Sequence, residues 1–414
     1  MLICDLTQSY APTGGGGVST YLREKRRYIL ERTGHRIMQI VPGPVDRVVE
    51  RGRHIWVEIG AKQVRGSPNY RFIMRTSAVR AVLERYQPDL IESLCPWVLP
   101  WTAIRHAQAH PGTALVAGYH TDFPNVHVHR VGSQLFGPRL GGLLKRISVG
   151  YAQVTYNQFD RLYALDEAVK GQLGAWGIGH VDVLPLGVDT DQFSPARRDP
   201  GYRARLGLPG DGPLLTYAGR IDNEKRADRL VAMMRHLPRE LGAGLLMLGD
   251  GKLREQLMAE VAAEGLPVAM PGFVNDRESL ATALASSDIY VSAMADETFG
   301  ISVIEAQASG LPVVGVASGA MPARVPRGIG VLTEVDDVAA MARGVEQIWA
   351  GGAAAMGAAA RAHVEQHFSW QRTFDRLVDG VYGEALACAQ VRKREAQGIG
   401  AGVARQPALA RWTA

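Results

Sequence analysis

Two carboxylates, Glu297 and Glu305, stand eight positions apart in the stretch MADETFGISVIEAQASG, residues 294–310, with Gly300 between them and an apolar run behind. Two kinds of role are open to them. Ser302 and Glu305 have the S-x-x-E spacing of a helix capping box, which would make Glu305 structural. That reading does not account for Glu297, on the loop after the strand DIYVSAM, or for a glycine at the helix entrance. A helix that starts at glycine presents its first amides to an anion. Carboxylates beside a bound phosphate make electrostatic sense only if they hold hydroxyls, such as those of sugar rings. On this stretch alone the two readings stand level.

Three further segments offer chemistry. In YAGRIDNEKRADRL, Arg220 ends a strand and Lys225 opens the next helix. A guanidinium fork and an ammonium point charge at such a junction suit a diphosphate; a salt-bridged helix start with Glu224 is the plainer alternative. In YAPTGGGGVSTYLREKRRYILER, Gly14 to Gly17 let backbone approach a ligand closely, although no P-loop or spaced dinucleotide motif follows. The helix behind them carries Arg23, Lys25, Arg26, Arg27 and Arg32, read as a solvated face or a contact for anionic membrane. In AGYHTDFPNVHVH, His120 closes a strand ahead of His127 and His129. A zinc reading of the three lacks supporting carboxylates or cysteines, and no metal is expected. A lone histidine at a strand end is more often structural than catalytic.

Such residues act only where strands and helices place them. The chain has 414 residues, more than one hydrophobic core usually serves, which predicts two domains. A formal net charge of +5 suits an acidic small ligand or an anionic membrane and is too weak to imply nucleic acid. There is no unbroken apolar run long enough to span a bilayer, and MLICDLTQSYAP reads as a strand rather than a signal peptide. Cys4, Cys95 and Cys388 are far apart, as fits a reducing cytoplasm. Short runs apolar on both faces alternate with amphipathic helices, twice over: LICDL to RLYALD in the first half, VDVLPLG to IGVLTE in the second. This predicts two doubly wound α/β domains joined near residues 170–190. Ligands of such sheets sit beyond the carboxyl ends of the strands, in the cleft between domains.

Taken in order, the segments resemble the retaining glycosyltransferases of family 4. ETFGISVIE matches the E-x7-E element, and GRIDNEK resembles the G-R-x-x-x-E-K segment. LPLGVDTDQFSP is similar to the interdomain segment through Gly187, Val188, Asp189, Phe193 and Pro195. GYHTDFP resembles the histidine segment of mannosyl- and lipid-directed members, and LGDG and PGFV fall where the family has a G-x-G and a base-contacting loop. The likeness spans roughly residues 1–385. Departures are Ala320 and Ala323 in place of a Gly and a Glu, Arg226 in place of a Gly, and Asp166 in place of a Ser.

The resemblance implies a GT-B fold of two Rossmann-like domains facing across a cleft. Residues 1–175 would bind acceptor, 176–365 nucleotide-sugar, 366–390 would form a helix crossing back to the first domain, and 391–414 a mobile basic tail. Carried over by position, Glu305 would bind ribose hydroxyls and Glu297 donor-sugar hydroxyls. Arg220 and Lys225 would neutralise the diphosphate, with amides around Phe299, Gly300, Ile301 and Ser302 and the loop at Gly15 and Gly16. Backbone near Phe273 and Val274 would meet the base, and His120 would lie near the transferred sugar.

The expected activity is retaining, metal-independent transfer of a hexose from GDP-mannose or a UDP-hexose, mannose favoured. No cofactor is expected beyond this donor substrate. Arg220, Lys225 and the helix dipole would stabilise the departing diphosphate. The acceptor would be a glycan or lipid-linked molecule, and the setting cytoplasmic, at the inner membrane face if SQLFGPRLGGLLKRI docks there; its apolar residues Leu135, Phe136, Leu140, Leu143, Leu144 and Ile147 suit a core equally well. The alternatives are a sugar-nucleotide epimerase of the same fold and a catalytically silent nucleotide-sugar-binding subunit.

Overall fold

Runs such as LICDL and ALVAGY have no polar face to turn toward water, so they belong inside sheets covered on both sides. The computed structural model describes residues 1–8, 10, 17–64, 67–295 and 297–398, without the side chains of residues 67–70, 126, 127, 130, 134 and 136. The first half contains β1 (Leu2–Leu6), β2 (Arg36–Gly43), β3 (Arg47–Arg51), β4 (His54–Gly60), a hairpin of β5 (Lys62–Val64) and β6 (Ser67–Phe72), β7 (Leu90–Ser93), β8 (Ala114–Tyr119), β9 (Arg161–Ala164) and β10 (Val181–Val183). Apart from the hairpin they form one sheet in the order β10-β9-β8-β7-β1-β2-β4-β3, parallel except for the edge strand β3. The second half contains β11 (Leu214–Ala218), β12 (Gly244–Leu248), β13 (Val268–Gly272), β14 (Ile289–Val291), β15 (Val313–Val316) and β16 (Gly330–Thr333), all parallel in the order β13-β12-β11-β14-β15-β16. Each sheet starts in its middle and reverses winding direction, between β1 and β7 and between β11 and β14. A crevice opens beyond the carboxyl ends of the strands at such a reversal.

Two expected boundaries shift. VDV, read as the opening of the second domain, instead pairs with β9, so the first sheet extends past residue 175 to Val183. The chain then crosses at Gly187, where a Cβ would lie 2.2 Å from the amide nitrogen of Trp370; only glycine allows that approach. Val188 N–H donates to Phe368 C=O at 2.9 Å, binding the outgoing crossing to the returning one. From Trp370 the chain packs back on the first domain, where Tyr28 Oη donates to Asp375 at 2.5 Å. The second shift is in the tail. The last helix, Gly383–Ala396, runs past residue 391, and Arg392 is docked on Asp160 and on Thr113 C=O at 2.8 Å. Residues 399–414 lie outside the described residues, as do Gly15 and Gly16.

Candidate functional site

The loops after β11, β14 and β15 meet at the reversal of the second sheet. β11 ends at Ala218 and the next helix starts at Ala227, so Arg220 and Lys225 both sit on the connecting turn rather than at its ends. Asp222 organises that turn. It accepts the Lys225 N–H at 2.9 Å and pairs with the Arg220 guanidinium, which also reaches Glu224 at 2.9 Å. Lys225 Nζ extends across to Glu297 Oε2 at 3.1 Å. The other Glu297 oxygen accepts the Gly300 N–H at 3.2 Å, at the start of the helix Ile301–Ala308. From the third loop, Ala320 N–H donates to Glu297 C=O at 2.7 Å. Glu297 is therefore held from three directions, with its carboxylate beside an ammonium and a helix N-terminus.

The backbone explains two sequence features here. Gly300 has φ +85°, a region other residues rarely adopt. Arg226, where the resembled family has glycine, takes φ +52° and binds Asp336 at 2.6 Å, an ion pair that offsets part of the strain.

Glu305 is not part of a capping box. Gly300 is the N-cap, and Ser302 lies in the first turn, where its Oγ accepts from Tyr290 Oη at 2.9 Å. Glu305 is buried one turn on, 2.9 Å from the Arg277 guanidinium. Burial pushes its pKa up, and the Arg277 charge opposes that rise. Arg277, absent from the sequence reading, lies over the Phe193 ring at 4.7 Å. Nothing in NDRESL marks it; only the fold brings it to Glu305. Phe299 is buried under Arg324, whose guanidinium reaches Phe299 C=O at 2.9 Å and Asp166 of the first domain at 3.8 Å. Gly17, the first residue of α1 (Gly17–Arg32), abuts Ile301: a Cβ there would lie 3.2 Å from its Cδ1. The glycine run thus ends against the head of the Ile301–Ala308 helix. Phe273 is exposed beyond β13, with Val274 half-buried beside it.

His120 follows β8 in the first domain and is buried, with Nε2 2.9 Å from Tyr163 Oη. Tyr163 and Tyr21 both donate to Glu92 Oε1, at 2.6 and 2.8 Å. Lys25, from α1, is fully buried between Asp5 and Glu92, 2.7 Å from Glu92 Oε2, and donates to Tyr382 Oη of the returning chain at 3.0 Å. Tyr382 in turn donates to Glu92. Burial lifts Asp5 to about 6. Burial acts the same way on Glu92, but Lys25 and the hydroxyls outweigh it and hold that carboxyl below its ordinary range. Lys25 is thus a core cation, not the solvated or membrane-facing residue expected on α1. Arg27 is also engaged, with Asp189 at 3.0 Å and Glu24 at 2.9 Å. The zinc reading of His120, His127 and His129 gains no ligand cluster among the described residues, and the His127 side chain lies outside them.

Burial lowers the His120 pKa from 6.5 to about 4. The folded protein keeps this imidazole neutral where the unfolded chain takes up a proton. Its stabilising contribution is complete above pH 6.5 and is lost as pH falls toward 4, by about 3 kcal/mol. Asp5, raised, acts in the opposite sense, favouring the fold at low pH. Denaturant unfolding of His120→Gln and the unchanged protein between pH 4 and 7 isolates the histidine. The two stabilities should converge as pH falls; a constant difference contradicts the assignment.

Compared with known proteins, residues 15–192 match the family described as Glycosyltransferase Family 4, and residues 199–363 the one described as Glycosyl transferases group 1. The GDP-mannose-dependent alpha-(1-6)-phosphatidylinositol dimannoside mannosyltransferase of Mycobacterium tuberculosis is 29% identical over 316 residues, 76% of this chain and 79% of that protein. A GDP-mannose-dependent alpha-mannosyltransferase of Mycolicibacterium smegmatis is 28% identical over 349 residues, 81% of this chain and 85% of its own. Sucrose-phosphate synthase from Thermosynechococcus elongatus shares the fold with a TM-score of 0.72 at 21% identity, over 96% of this chain and 99% of that one.

Proposed function

Because the chain belongs to glycosyltransferase family 4, we propose that it moves mannose from GDP-mannose to a lipid-linked or saccharide acceptor, with retention at the anomeric carbon and without a metal ion. It is a nucleotide-sugar-dependent glycosyltransferase of GT-B fold. The observation that carries the finer reading is the meeting of Lys225, Glu297 and the head of the Ile301–Ala308 helix at the reversal of the second sheet. Breaking a sugar–phosphate bond leaves negative charge on the diphosphate. Lys225 and the helix amides stand ready to receive it, and Arg220 joins them by turning from Asp222 and Glu224. As Lys225 shifts to the diphosphate, Glu297 Oε2 is released to take hydroxyls of the donor sugar. Glu305 takes the ribose hydroxyls, the loop with Gly15 and Gly16 the diphosphate, and the backbone at Phe273 and Val274 the base. The preference for GDP-mannose rests on the mannosyltransferase relatives.

Retention by double displacement needs a carboxylate free to attack the anomeric carbon. Asp5 and Glu92, the buried carboxylates nearest His120 in the network, are both committed to Lys25. Front-face attack by the acceptor is therefore favoured. The test is the anomeric configuration of the product, read by NMR: an α-mannoside is expected and a β-mannoside contradicts retention. A glycosyl–enzyme adduct in the mass spectrum would replace front-face attack with double displacement.

The acceptor side bears on lipid. On the helices α4 (Arg130–Phe136) and α5 (Pro138–Tyr156), four of the apolar residues weighed above as core, Leu135, Leu140, Leu143 and Ile147, are not buried. Leu135 is 69% exposed and Ile147 61%, with Leu140 and Leu143 also exposed. Positions 140, 143 and 147 share one side of α5, flanked by exposed Arg139 and Arg146. No helix among the described residues is long and apolar enough to cross a membrane. A basic, apolar face of this kind suits docking on an anionic surface. The protein should float with vesicles that contain anionic lipid, and a Leu143→Asp/Ile147→Asp variant should lose most of that binding. Flotation indifferent to lipid charge, or unchanged in the variant, would count against docking.

A further inference from the structure

Between β6 and β8 the chain forms α2 (Thr76–Tyr86) and α3 (Leu99–Ala109), which pack side by side. Where α3 ends, the two helices bring together Glu84, His106 and His110. The histidines are at i and i+4, so both imidazoles leave one face of α3, with ring centroids 4.4 Å apart. The Glu84 carboxylate lies against both: Oε1 is 3.3 Å from His106 Nδ1, and Oε2 is 2.9 Å from His110 Nε2. One potential ligand atom from each residue lies within 4.8 Å of the other two. Around a tetrahedral zinc ion, with bonds of about 2.0–2.2 Å, ligand atoms stand about 3.3–3.5 Å apart. Small side-chain rotations close this set onto one centre.

A second observation points the same way. His106 is only 3% exposed; its Nδ1 has no contact beyond the 3.3 Å ion pair with Glu84, and its Nε2 has no hydrogen-bond partner. Buried polar groups are ordinarily paired, so an imidazole left this way at the meeting point of two other ligands needs a partner. Glu84 is exposed and His110 half-exposed, so an ion has a path from solvent and a fourth position open to water. Two imidazoles and one carboxylate favour zinc-like transition metals over calcium or magnesium, which take all-oxygen sets.

We propose that Glu84, His106 and His110 form a three-ligand site for a zinc-like transition-metal ion that clamps α2 to α3. α3 runs into the start of β8, so the site lies at the amino ends of the strands. The transfer site lies beyond their carboxyl ends. The clamp is therefore separate from the transfer chemistry and independent of the metal-free reading of that step.

The test uses the untagged full chain, stripped with chelator and titrated with zinc chloride against a chromophoric chelator. One zinc per chain and a raised Tm are expected, as are the visible absorption bands of tetrahedral Co²⁺ when cobalt replaces zinc. Glu84→Gln and His110→Gln sit at accessible positions, so both should fold. Each should weaken binding by about tenfold or more and abolish the cobalt bands, with sugar-nucleotide turnover unchanged. Absence of zinc binding in the micromolar range would overturn the proposal. So would wild-type zinc affinity in both variants, which would place the ion elsewhere.

Discussion

Replacing Glu297 with alanine is expected to lower transfer by about 100- to 1,000-fold, with nucleoside diphosphate affinity changed only a few-fold. The residue stands between Lys225 at 3.1 Å and the amide of Gly300 at 3.2 Å, the groups proposed to receive the departing diphosphate. Removing it strips the sugar of its hydroxyl acceptor and leaves the diphosphate its cations. Steady-state kinetics and a GDP titration of the same preparation separate the two effects. Glu297→Gln provides the control for structure. The amide still accepts the Gly300 N–H, so if alanine acted only by loosening the helix start, glutamine would restore activity. Full transfer by the alanine variant would overturn the assignment of Glu297 to the donor sugar.

Lys25→Met should lower unfolding stability by about 3–5 kcal/mol near pH 8. Methionine fills much of the space, but Asp5 and Glu92 would then face one another without the cation that both contact. Their carboxyls would move up in pKa, so the folded variant would hold protons that the unfolded chain releases. Stability falls as pH rises under that condition, and the deficit should shrink toward pH 5. Combining Lys25→Met with Asp5→Asn and Glu92→Gln should recover part of the loss. Chemical unfolding at pH 5 and pH 8 measures all of this. A loss below about 1 kcal/mol, the range of exposed pairs, would show that Lys25 does not hold the two carboxylates together.

The strands of both sheets are legible in sequence because apolar residues on two faces have no other home. β3 is not: RVVER carries charges at an exposed sheet edge and has no apolar run to mark it. The site is legible in part. Glu297, Lys225 and Gly300, each on a loop after a strand, come together because β11 and β14 are neighbours in the sheet. The capping-box spacing misleads because the helix begins at Ile301, which puts Ser302 inside it. Lys25 reads as one more surface cation among arginines. Its partners Asp5 and Glu92 come from other strands, and Tyr382 from the far end of the chain, so local pattern holds no trace of the network. Glu84 and His106 are hidden for the same reason, since the carboxylate and the imidazoles lie on different helices.

Titration of the purified protein with GDP, UDP and ADP, each followed by incubation with the matching sugar nucleotide, tests most directly whether the cleft holds a nucleoside diphosphate sugar. The predicted result is that GDP binds, that GDP-mannose is consumed, and that Glu305→Gln weakens the binding. Failure of all three diphosphates to bind would contradict it, and Glu305 would then be no more than the buried partner of Arg277.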